Sequence, residues 1–458
     1  MKILVQKYGG TSVAGDEARG QVADKVERAL RAGWSVVVVV SAIGRAGAPY
    51  ATDTLLQMLR GVDPSVAPAA RESDLLVACG EIISTVVLAQ TLHARGIPSI
   101  ALTGGQAGIL TDYEFGNARI LSIDPDYVVR MLDAGKVVLV AGFQGVTEFG
   151  AITTLGRGGS DTTAAALGAA LQPHGTATEV EIYTDVDGVK TADPRIVPGA
   201  RTLQRAAYHE VAEMAHQGAK VVHPRAAEIA AEHRIPLWVK STFDDNPGTL
   251  ITADPGDEDG MRVTGVTHTG RLVHVRFPLD PELDPDRPFL EQAVYRVLQR
   301  AGIAIHLADT HPGSFSFAIG REHLGALRDH LDGLAVPVDL GVRRQPPFGR
   351  IHLLGIGTGG RGFASQSELL ARAGGFVHIV PCQARLTENT TVVSVIASGF
   401  EGLPGIMARM LVALDHAGVP VHQTADSTYS LSALVPETDA PRAIRALHEE
   451  FGLGGEPR

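Results

Sequence analysis

Apolar runs without a polar face alternate with segments of helical periodicity through the first half of the chain. Residues 3–5, 35–40, 137–143, 179–184 and 236–240 read as strands, and Val36, Val37, Val38, Val39 and Val40 form an unbroken apolar run. Runs of that kind are buried on both faces, as in parallel sheets covered by helices on either side. Between them, residues 16–32, 54–60, 72–94, 164–171 and 208–217 carry the helical pattern. Residues 254–259 are acidic, glycine-bearing and poor in apolar side chains, which marks a linker.

Beyond the linker the units shorten. Residues 271–277 read as a strand, 289–301 as a helix, 304–308 and 314–319 as strands and 323–331 as a helix. The same β-α-β-β-α order returns with a strand at 391–397, a helix at 405–417, strands at 419–424 and 429–435 and a helix at 441–451. Such a recurrence means two copies of one small α/β unit. Between the copies, residues 350–381 hold only half of one: strand, glycine turn, helix and strand. The first copy ends on a plausible fourth strand at 336–342, whereas the second has none. Residues 263–268 are a spare strand, expected to pair into the C-terminal unit so that the first copy is inserted within the second. The expected divisions are 1–252, a linker at 253–262, a first small unit at 263–346, a partial segment at 347–388 and a second small unit at 389–453.

The chemistry-bearing residues collect where strands end, and in open α/β sheets ligands sit beyond the carboxyl ends of the strands. After the strand at 137–143 comes Gly156-Arg157-Gly158-Gly159-Ser160-Asp161-Thr162-Thr163, which opens onto a helix. Its free N–H groups, the helix dipole and its three glycines make an anion site. Arg157 adds a fork suited to carboxylate or phosphate, and Asp161 there needs a cation beside it. The first strand runs into Lys7-Tyr8-Gly9-Gly10-Thr11-Ser12, a lysine backed by paired glycines and placed to hold a phosphoryl group, although an ordinary strand-end lysine would look the same. The spacing is not that of a Walker A loop. Glu81 lies in an apolar helix, where a buried carboxylate needs a partner such as a substrate ammonium. Thr52 and Asp53 stand where a loop meets a helix, with Asp53 suited to a plain cap. A further strand ends in Tyr183-Thr184-Asp185-Val186-Asp187-Gly188-Val189, followed by Thr191-Ala192-Asp193-Pro194-Arg195. Gly355-x-Gly357-x-x-Gly360 formally matches a dinucleotide fingerprint, but no second half of such a domain follows.

Lys and Arg number 40 against 51 Asp and Glu, a net charge of −11 with no basic block, so a phosphate footprint for nucleic acid is not expected. The two cysteines, Cys79 and Cys382, stand in apolar sequence and read as buried free thiols in a reducing compartment. The N-terminal strand is interrupted by Gln6 and Lys7, which leaves no stretch for a signal peptide or membrane helix; a cytoplasmic protein is expected.

The loops at Lys7 to Val13, Gly156 to Thr163, Tyr183 to Arg195 and Ala219 to Arg225 occur together in one order, and that order resembles the aspartate kinases of the amino-acid-kinase family. The repeats resemble ACT domains, and Val36 to Leu56 with Gln423 to Ser427 are most similar to the diaminopimelate-sensitive subgroup. Tyr8 stands where phenylalanine is more usual, and residues 350–381 lie outside the family pattern. The resemblance implies an amino-acid-kinase fold, an open and mostly parallel sheet between helices, followed by tandem ACT-like βαββαβ units. It implies transfer of the ATP γ-phosphate to the side-chain carboxylate of L-aspartate, giving 4-phospho-L-aspartate at the entry to lysine, threonine and methionine synthesis. Lys7 and Lys220 would then stabilise the transferring phosphoryl group, with Asp161 orienting them. Arg157 would hold the substrate α-carboxylate and Glu81 its α-ammonium, with Ser41, Thr52, Gly158 and Ser160 as lesser contacts. The nucleotide would lie against Lys7, Gly9, Gly10, Tyr183, Thr184, Asp185, Thr191, Asp193, Arg195 and Lys220. ATP implies Mg²⁺, for which no protein ligand is expected. Other readings are a different kinase of the superfamily or an inactive amino-acid sensor; the presence of Lys7, Arg157, Asp161 and Lys220 opposes the latter.

In the second repeat, Pro404, Gly405 and Ile406 enter a helix and are expected to face Gln423, Asp426 and Ser427 at the end of a strand. The helix N-terminus suits a carboxylate and Asp426 an ammonium, the two ends of an amino-acid effector. Diaminopimelate or lysine is expected, on a homodimer or higher homo-oligomer assembled through the repeats. The alternative for Pro404 and Asp426 is turn shaping alone.

Overall fold

The computed structural model describes residues 1–219, 221–253, 256, 263–279, 287–332, 334–337, 351–358, 377–400 and 405–454. The chain divides into two compact units, Met1–Val266 with Ile396–Pro404 and Phe451–Arg458, and Thr267–Val395 with Gly405–Glu450.

The first unit begins with β1 (Lys2–Tyr8), α1 (Asp16–Arg31), β2 (Trp34–Val40), α2 (Thr52–Arg60), α3 (Ala70–Ala94), β3 (Ser99–Leu102), β4 (Ile109–Thr111), β5 (Ile120–Ile123) and α4 (Asp126–Asp133). It continues with β6 (Val137–Ala141), β7 (Gln144–Val146), β8 (Ile152–Thr154), α5 (Gly159–Leu171), β9 (Ala177–Thr184), β10 (Arg205–Ala207), α6 (Tyr208–His216), α7 (Pro224–His233), β11 (Leu237–Ser241) and β12 (Thr249–Thr252). Eight strands form one sheet in the order β10-β12-β11-β9-β1-β2-β6-β3, and only the β11–β12 pairing is antiparallel.

The valine run explains the layering. All five valines of β2 are fully buried. Val37 and Val39 pack with Ile3, Val5 and Ile182 in one core that includes α5 and α7, while Val36, Val38 and Val40 pack with Leu4 and Tyr8 in a second that includes α1 and α3. Strand pattern alone did not reveal the four-stranded sheet β5-β4-β7-β8, whose strands of three or four residues are too short to show a period.

Three expectations change in this unit. α3 is long and apolar enough to cross a membrane, contrary to the reading that no stretch qualifies. It is a core helix: it packs on β3, β6 and β8, half of its most apolar window is buried, and its buried Asp74 accepts hydrogen bonds from Thr154 N (2.7 Å) and Gly116 N (2.9 Å). Cys79, on the outward face of α3, is exposed rather than buried; Cys382 is buried as expected. Asp53 is not a cap, because α2 already starts at Thr52 with Ala51 in the N-cap position.

The chain continues through β13 (Val263–Pro278), α8 (Arg287–Arg300), β14 (Ile305–His311), β15 (Ser314–Gly320), α9 (Leu324–Leu331), β16 (Ala335–Pro337), β17 (Ile351–Gly357) and β18 (Val377–Gln383). It ends with β19 (Arg385–Ala397), α10 (Ile406–His416), β20 (Gln423–Asp426), β21 (Ser430–Pro436) and α11 (Ala440–Glu450). Six of these strands form a sheet in the order β14-β15-β13-β19-β21-β20, so each copy supplies three strands and the copies meet at β13 and β19. Residues 263–268 are not a separate strand: they lead without a break into the strand expected at 271–277. Both central strands carry one left-handed residue, Arg271 (φ 59°) and Asn389 (φ 59°), and Thr390 Oγ1 donates to Leu272 O (3.0 Å). Of the fourth strand expected at 336–342, the described residues do not join this sheet. Ala335–Pro337 instead pairs with β17 in a small sheet ordered β16-β17-β18, and residues 338–342 lie outside the described residues. The helix expected between β17 and β18 and Gly360 of the dinucleotide-like motif lie outside them as well.

Candidate functional site

Parallel pairing of β1 with β2 and β9 brings the tips of three strands side by side. Lys7 registers with Val39 and Ile182, and Tyr8 with Val40 and Tyr183. Beyond the tips, Ser41 N donates to Tyr8 O (3.1 Å) and Gly44 N to Gly10 O (3.0 Å), which ties the loops after β1 and β2 together. Gly10 has to be glycine, since a Cβ there would lie 2.5 Å from both Ala42 O and Gly44 O.

The loop entering α5 closes the other side. Gly156 (φ 74°) and Gly158 (φ 71°) are left-handed, and Gly158 caps α5 with no side chain in the way of its N–H groups. On this first turn Asp161 meets Lys7: Oδ1 lies 2.7 Å from Nζ, with both side chains largely buried. Asp161 Oδ2 accepts from His223 N at 3.2 Å. Ser160 Oγ accepts from Ser41 Oγ at 3.0 Å. Next to Ser41, Ala42 N donates to Glu81 Oε1 at 3.0 Å. Lys7, Asp161, Ser160, Ser41 and Glu81 are therefore one connected network assembled from four separate segments.

Two ionisable groups, one in the network and one on the loop beside it, are unmatched. Glu81 is 2% exposed, its Oε2 has no hydrogen-bond partner, and burial pushes its carboxyl up to about 8 against the single backbone bond from Ala42. Arg157 is exposed and makes no ion pair among the described residues. A ligand with one carboxylate and one ammonium would satisfy both.

The candidate nucleotide loop lies after β9. Thr184 Oγ1 accepts from Val186 N (3.0 Å), and Asp185 Oδ2 accepts from Arg45 Nη2 (2.5 Å). Asp193 holds Arg195 in a fork, Nη2 to Oδ2 at 2.7 Å and Nε to Oδ1 at 3.0 Å, which keeps the Arg195 pKa above its ordinary value. Asp187 is lowered: burial raises it, but hydrogen bonds from Lys190 and Thr202 outweigh that. Tyr183 and Thr191 sit differently from the rest. The Tyr183 ring is buried on the far side of the sheet from Lys7, stacked on Tyr8 at 4.7 Å. Thr191 is fully buried, its O accepting from Val266 N (2.8 Å) and its Oγ1 donating to Leu453 O (3.3 Å). Thr52 is half-buried at the first position of α2, with no hydrogen bond to the other candidates among the described residues. Lys220 lies outside the described residues.

Two residues were missed. Arg45 reaches Asp185 from the loop after β2, and an exposed arginine beside glycines gave no signal in the sequence. His223 packs its ring where a Cβ on Gly158 would be, 2.1 Å from Cγ, and its buried Nδ1 has no partner among the described residues. Burial lowers the His223 pKa while Asp161 raises it. Its place just before Pro224 at the start of α7 was the only hint.

In the second repeat, Gly405 is left-handed (φ 83°) and caps α10, with Ile406 buried behind it. Gln423 is directed elsewhere: its Oε1 accepts from Ser316 Oγ of β15 at 3.1 Å. Strand alternation puts Asp426 on the opposite face from Gln423, and Asp426 is exposed. Ser427 shapes the turn, its Oγ accepting from Tyr429 N (3.2 Å) and Ser430 N (3.0 Å). Pro404 lies outside the described residues.

Comparison with known proteins matches residues 2–241 to the amino acid kinase family and residues 385–449 to the ACT domain. Aspartokinase 1 of Bacillus subtilis is 37% identical over 99% of this chain and 100% of its own length. The aspartokinase of Mycolicibacterium smegmatis is 36% identical over 100% of this chain and 97% of its own. Among solved structures, E. coli aspartokinase III in complex with aspartate and ADP superposes with a TM-score of 0.70 at 25% identity, over 98% of this chain and 100% of that one.

Proposed function

This chain belongs to the aspartokinases of the amino acid kinase family, and from that premise we propose how its residues divide the work. It is an aspartate kinase: ATP gives its γ-phosphoryl group to the side-chain carboxylate of L-aspartate, leaving ADP and 4-phospho-L-aspartate. The observation that carries the assignment of residues is the connected network from Glu81 through Ser41 and Ser160 to Asp161 and Lys7, with one unmatched charge of each sign beside it.

Aspartate's carboxylate is already a nucleophile, so the site needs no strong base; it needs positioning and charge neutralisation. Arg157 takes the α-carboxylate in its fork, and Glu81 Oε2 takes the α-ammonium, which drives Glu81 into its ionised form. Those two anchors leave the side-chain carboxylate directed at Ser41, Ser160 and the tip of β1. Lys7 meets the charge that develops on the transferring group, and Asp161 keeps its ammonium at the N-terminus of α5, where the loop N–H groups add to it. Lys220 is proposed as a second cation there, with Gly158 and Thr52 as minor substrate contacts. Gly9, Gly10, Thr184, Asp185, Asp193 and Arg195 hold the nucleotide, Tyr183 and Thr191 supporting it through the backbone. Mg²⁺ would be carried on the ATP phosphates and water. Bound so, it would neutralise phosphate charge.

We assign catalysis to residues 1–252 and regulation by an amino acid to the repeats at 263–346 and 389–453, joined by 253–262, with the segment 347–388 between them. The ACT match supports this. A pathway amino acid, diaminopimelate or lysine, is the proposed effector, bound where Gly405 and Asp426 stand, on a homodimer paired through the repeats. The test of function is ADP release with aspartate, glutamate, N-acetylglutamate and uridine monophosphate offered in turn. Turnover is expected with aspartate, and equal turnover with another acceptor would move the chain to a different activity of the superfamily.

A further inference from the structure

The face of the large sheet away from Lys7 holds a second polar site. Over β2 that face is valine, but on β1, β9 and β11 it carries Gln6, Glu181 and Lys240, and a cleft of about 270 Å³ opens there beside α1. Glu181 is saturated: Gln6 Nε2 donates at 2.8 Å, Tyr183 OH at 3.0 Å and Lys240 Nζ at 2.5 Å.

The positive side is not saturated. Lys25 is 7% exposed, yet among the described residues its ammonium has Asp244 O at 3.0 Å, a long 3.5 Å reach to Asp245 Oδ1 and otherwise only the Tyr183 ring at 5.2 Å. Arg28, one turn further along α1, donates to the same carboxylate at 2.8 Å. That carboxylate belongs to a loop residue whose side chain is 73% exposed, and exposed pairs of this kind contribute little to stability. Burial, then the neighbouring Arg28, lowers the Lys25 pKa, as expected for a cation short of countercharge. Two cations thus share one loosely held carboxylate at the mouth of a cleft.

We propose that Lys25 and Arg28 form a binding site for a small carboxylate anion, which displaces Asp245 and rests its apolar body on Ala29, Ala32 and Trp34. The resident carboxylate shows the chemistry that the clamp accepts, and Glu181 on the floor opposes a doubly charged phosphate more than a single carboxylate. The site lies one backbone layer from the chemistry. Lys25 Nζ sits 5.2 Å from the Tyr183 ring, Tyr183 stacks on Tyr8, and their chain neighbours are Thr184 and Lys7.

The chain has two tryptophans, and both report on this cleft: Trp34 lines it, and the Trp238 ring centroid lies 4.7 Å from Lys240 Nζ. Butyrate, a single carboxylate with an apolar tail, titrated into the whole chain with the kinase site filled by ADP and aspartate, is expected to change tryptophan emission to saturation. Lys25→Met, which keeps the aliphatic stem, and Arg28→Gln should each weaken butyrate at least ~10-fold while still unfolding cooperatively. Asp245→Asn should tighten it about 3-fold or more by vacating the clamp. Inorganic phosphate at matched ionic strength should leave emission unchanged. The proposal is overturned by an unsaturable response in wild type, by unchanged affinity in Lys25→Met and Arg28→Gln, by no gain in Asp245→Asn, or by phosphate binding as well as butyrate.

Discussion

Two helices of this molecule begin in the same way and end up in different surroundings. α5 and α10 each start directly after a left-handed glycine, Gly158 at φ 71° and Gly405 at φ 83°. At Gly158 the space of the missing Cβ is filled by the His223 ring, and the first turn beyond it carries the Lys7–Asp161 pair. At Gly405 nothing among the described residues lies within 4 Å of that space, and the first turn carries no acid. A glycine-capped helix start is therefore a backbone device; packing and charge brought from other segments make it a site of chemistry.

Mutations at the two corners should separate them. Lys7→Ala removes the cation from the crowded corner, where it is needed most as charge develops, so kcat should fall by about 10²–10³ with little change in either KM. Near-normal turnover would reduce Lys7 to an ordinary strand-end lysine. Arg157→Lys keeps the charge and loses the fork. The KM for aspartate should rise ~10-fold or more before that for ATP moves, as read from initial rates, and parallel rises would remove Arg157 from the α-carboxylate.

The pH dependence follows from Glu81. Its carboxyl, raised by burial to about 8, is largely neutral below that pH, and only the ionised form can hold an ammonium. The KM for aspartate should therefore climb as pH falls below 8, approaching about tenfold per unit, and level off above it. Glu81→Gln should weaken aspartate at every pH and flatten the profile; a wild-type profile already flat between pH 6 and 9 would place the ammonium elsewhere. At the open corner the effect belongs to regulation alone. Asp426→Ala should leave uninhibited turnover intact and weaken amino-acid inhibition ~10-fold, about 1.4 kcal/mol of coupling. Unchanged inhibition would move the effector to the matching corner of the first copy, around His311 and Ser314.

The strands and helices around the candidate site were legible because several of its residues stand on glycine turns at strand ends, a local pattern that survives in one dimension. Lys7, Arg157 and Asp161 are examples. What the pattern could not carry was packing between distant segments. His223 is 65 positions from Gly158, and Arg45 is 140 from Asp185, so neither contact leaves a trace in spacing. Gln423 shows the same limit in the repeats: which strand face meets Ser316 is set by the other copy. Val336 and Pro337 pair in a different sheet from the one expected, because a short apolar run does not say which sheet it joins.

Aspartyl hydroxamate formed from ATP, L-aspartate and hydroxylamine, followed side by side in wild type, Gly158→Ala and Gly405→Ala, reads the difference between the two corners in one assay. A Cβ at Gly158 meets both the positive φ and the His223 ring, whereas at Gly405 it meets the backbone penalty alone, about 1–2 kcal/mol of stability. Wild type and Gly405→Ala should form hydroxamate at the same rate, and Gly158→Ala at least ~100-fold more slowly while folded. No hydroxamate from wild type, or equal losses in the two variants, would contradict the assignment of catalysis to the corner at Gly158.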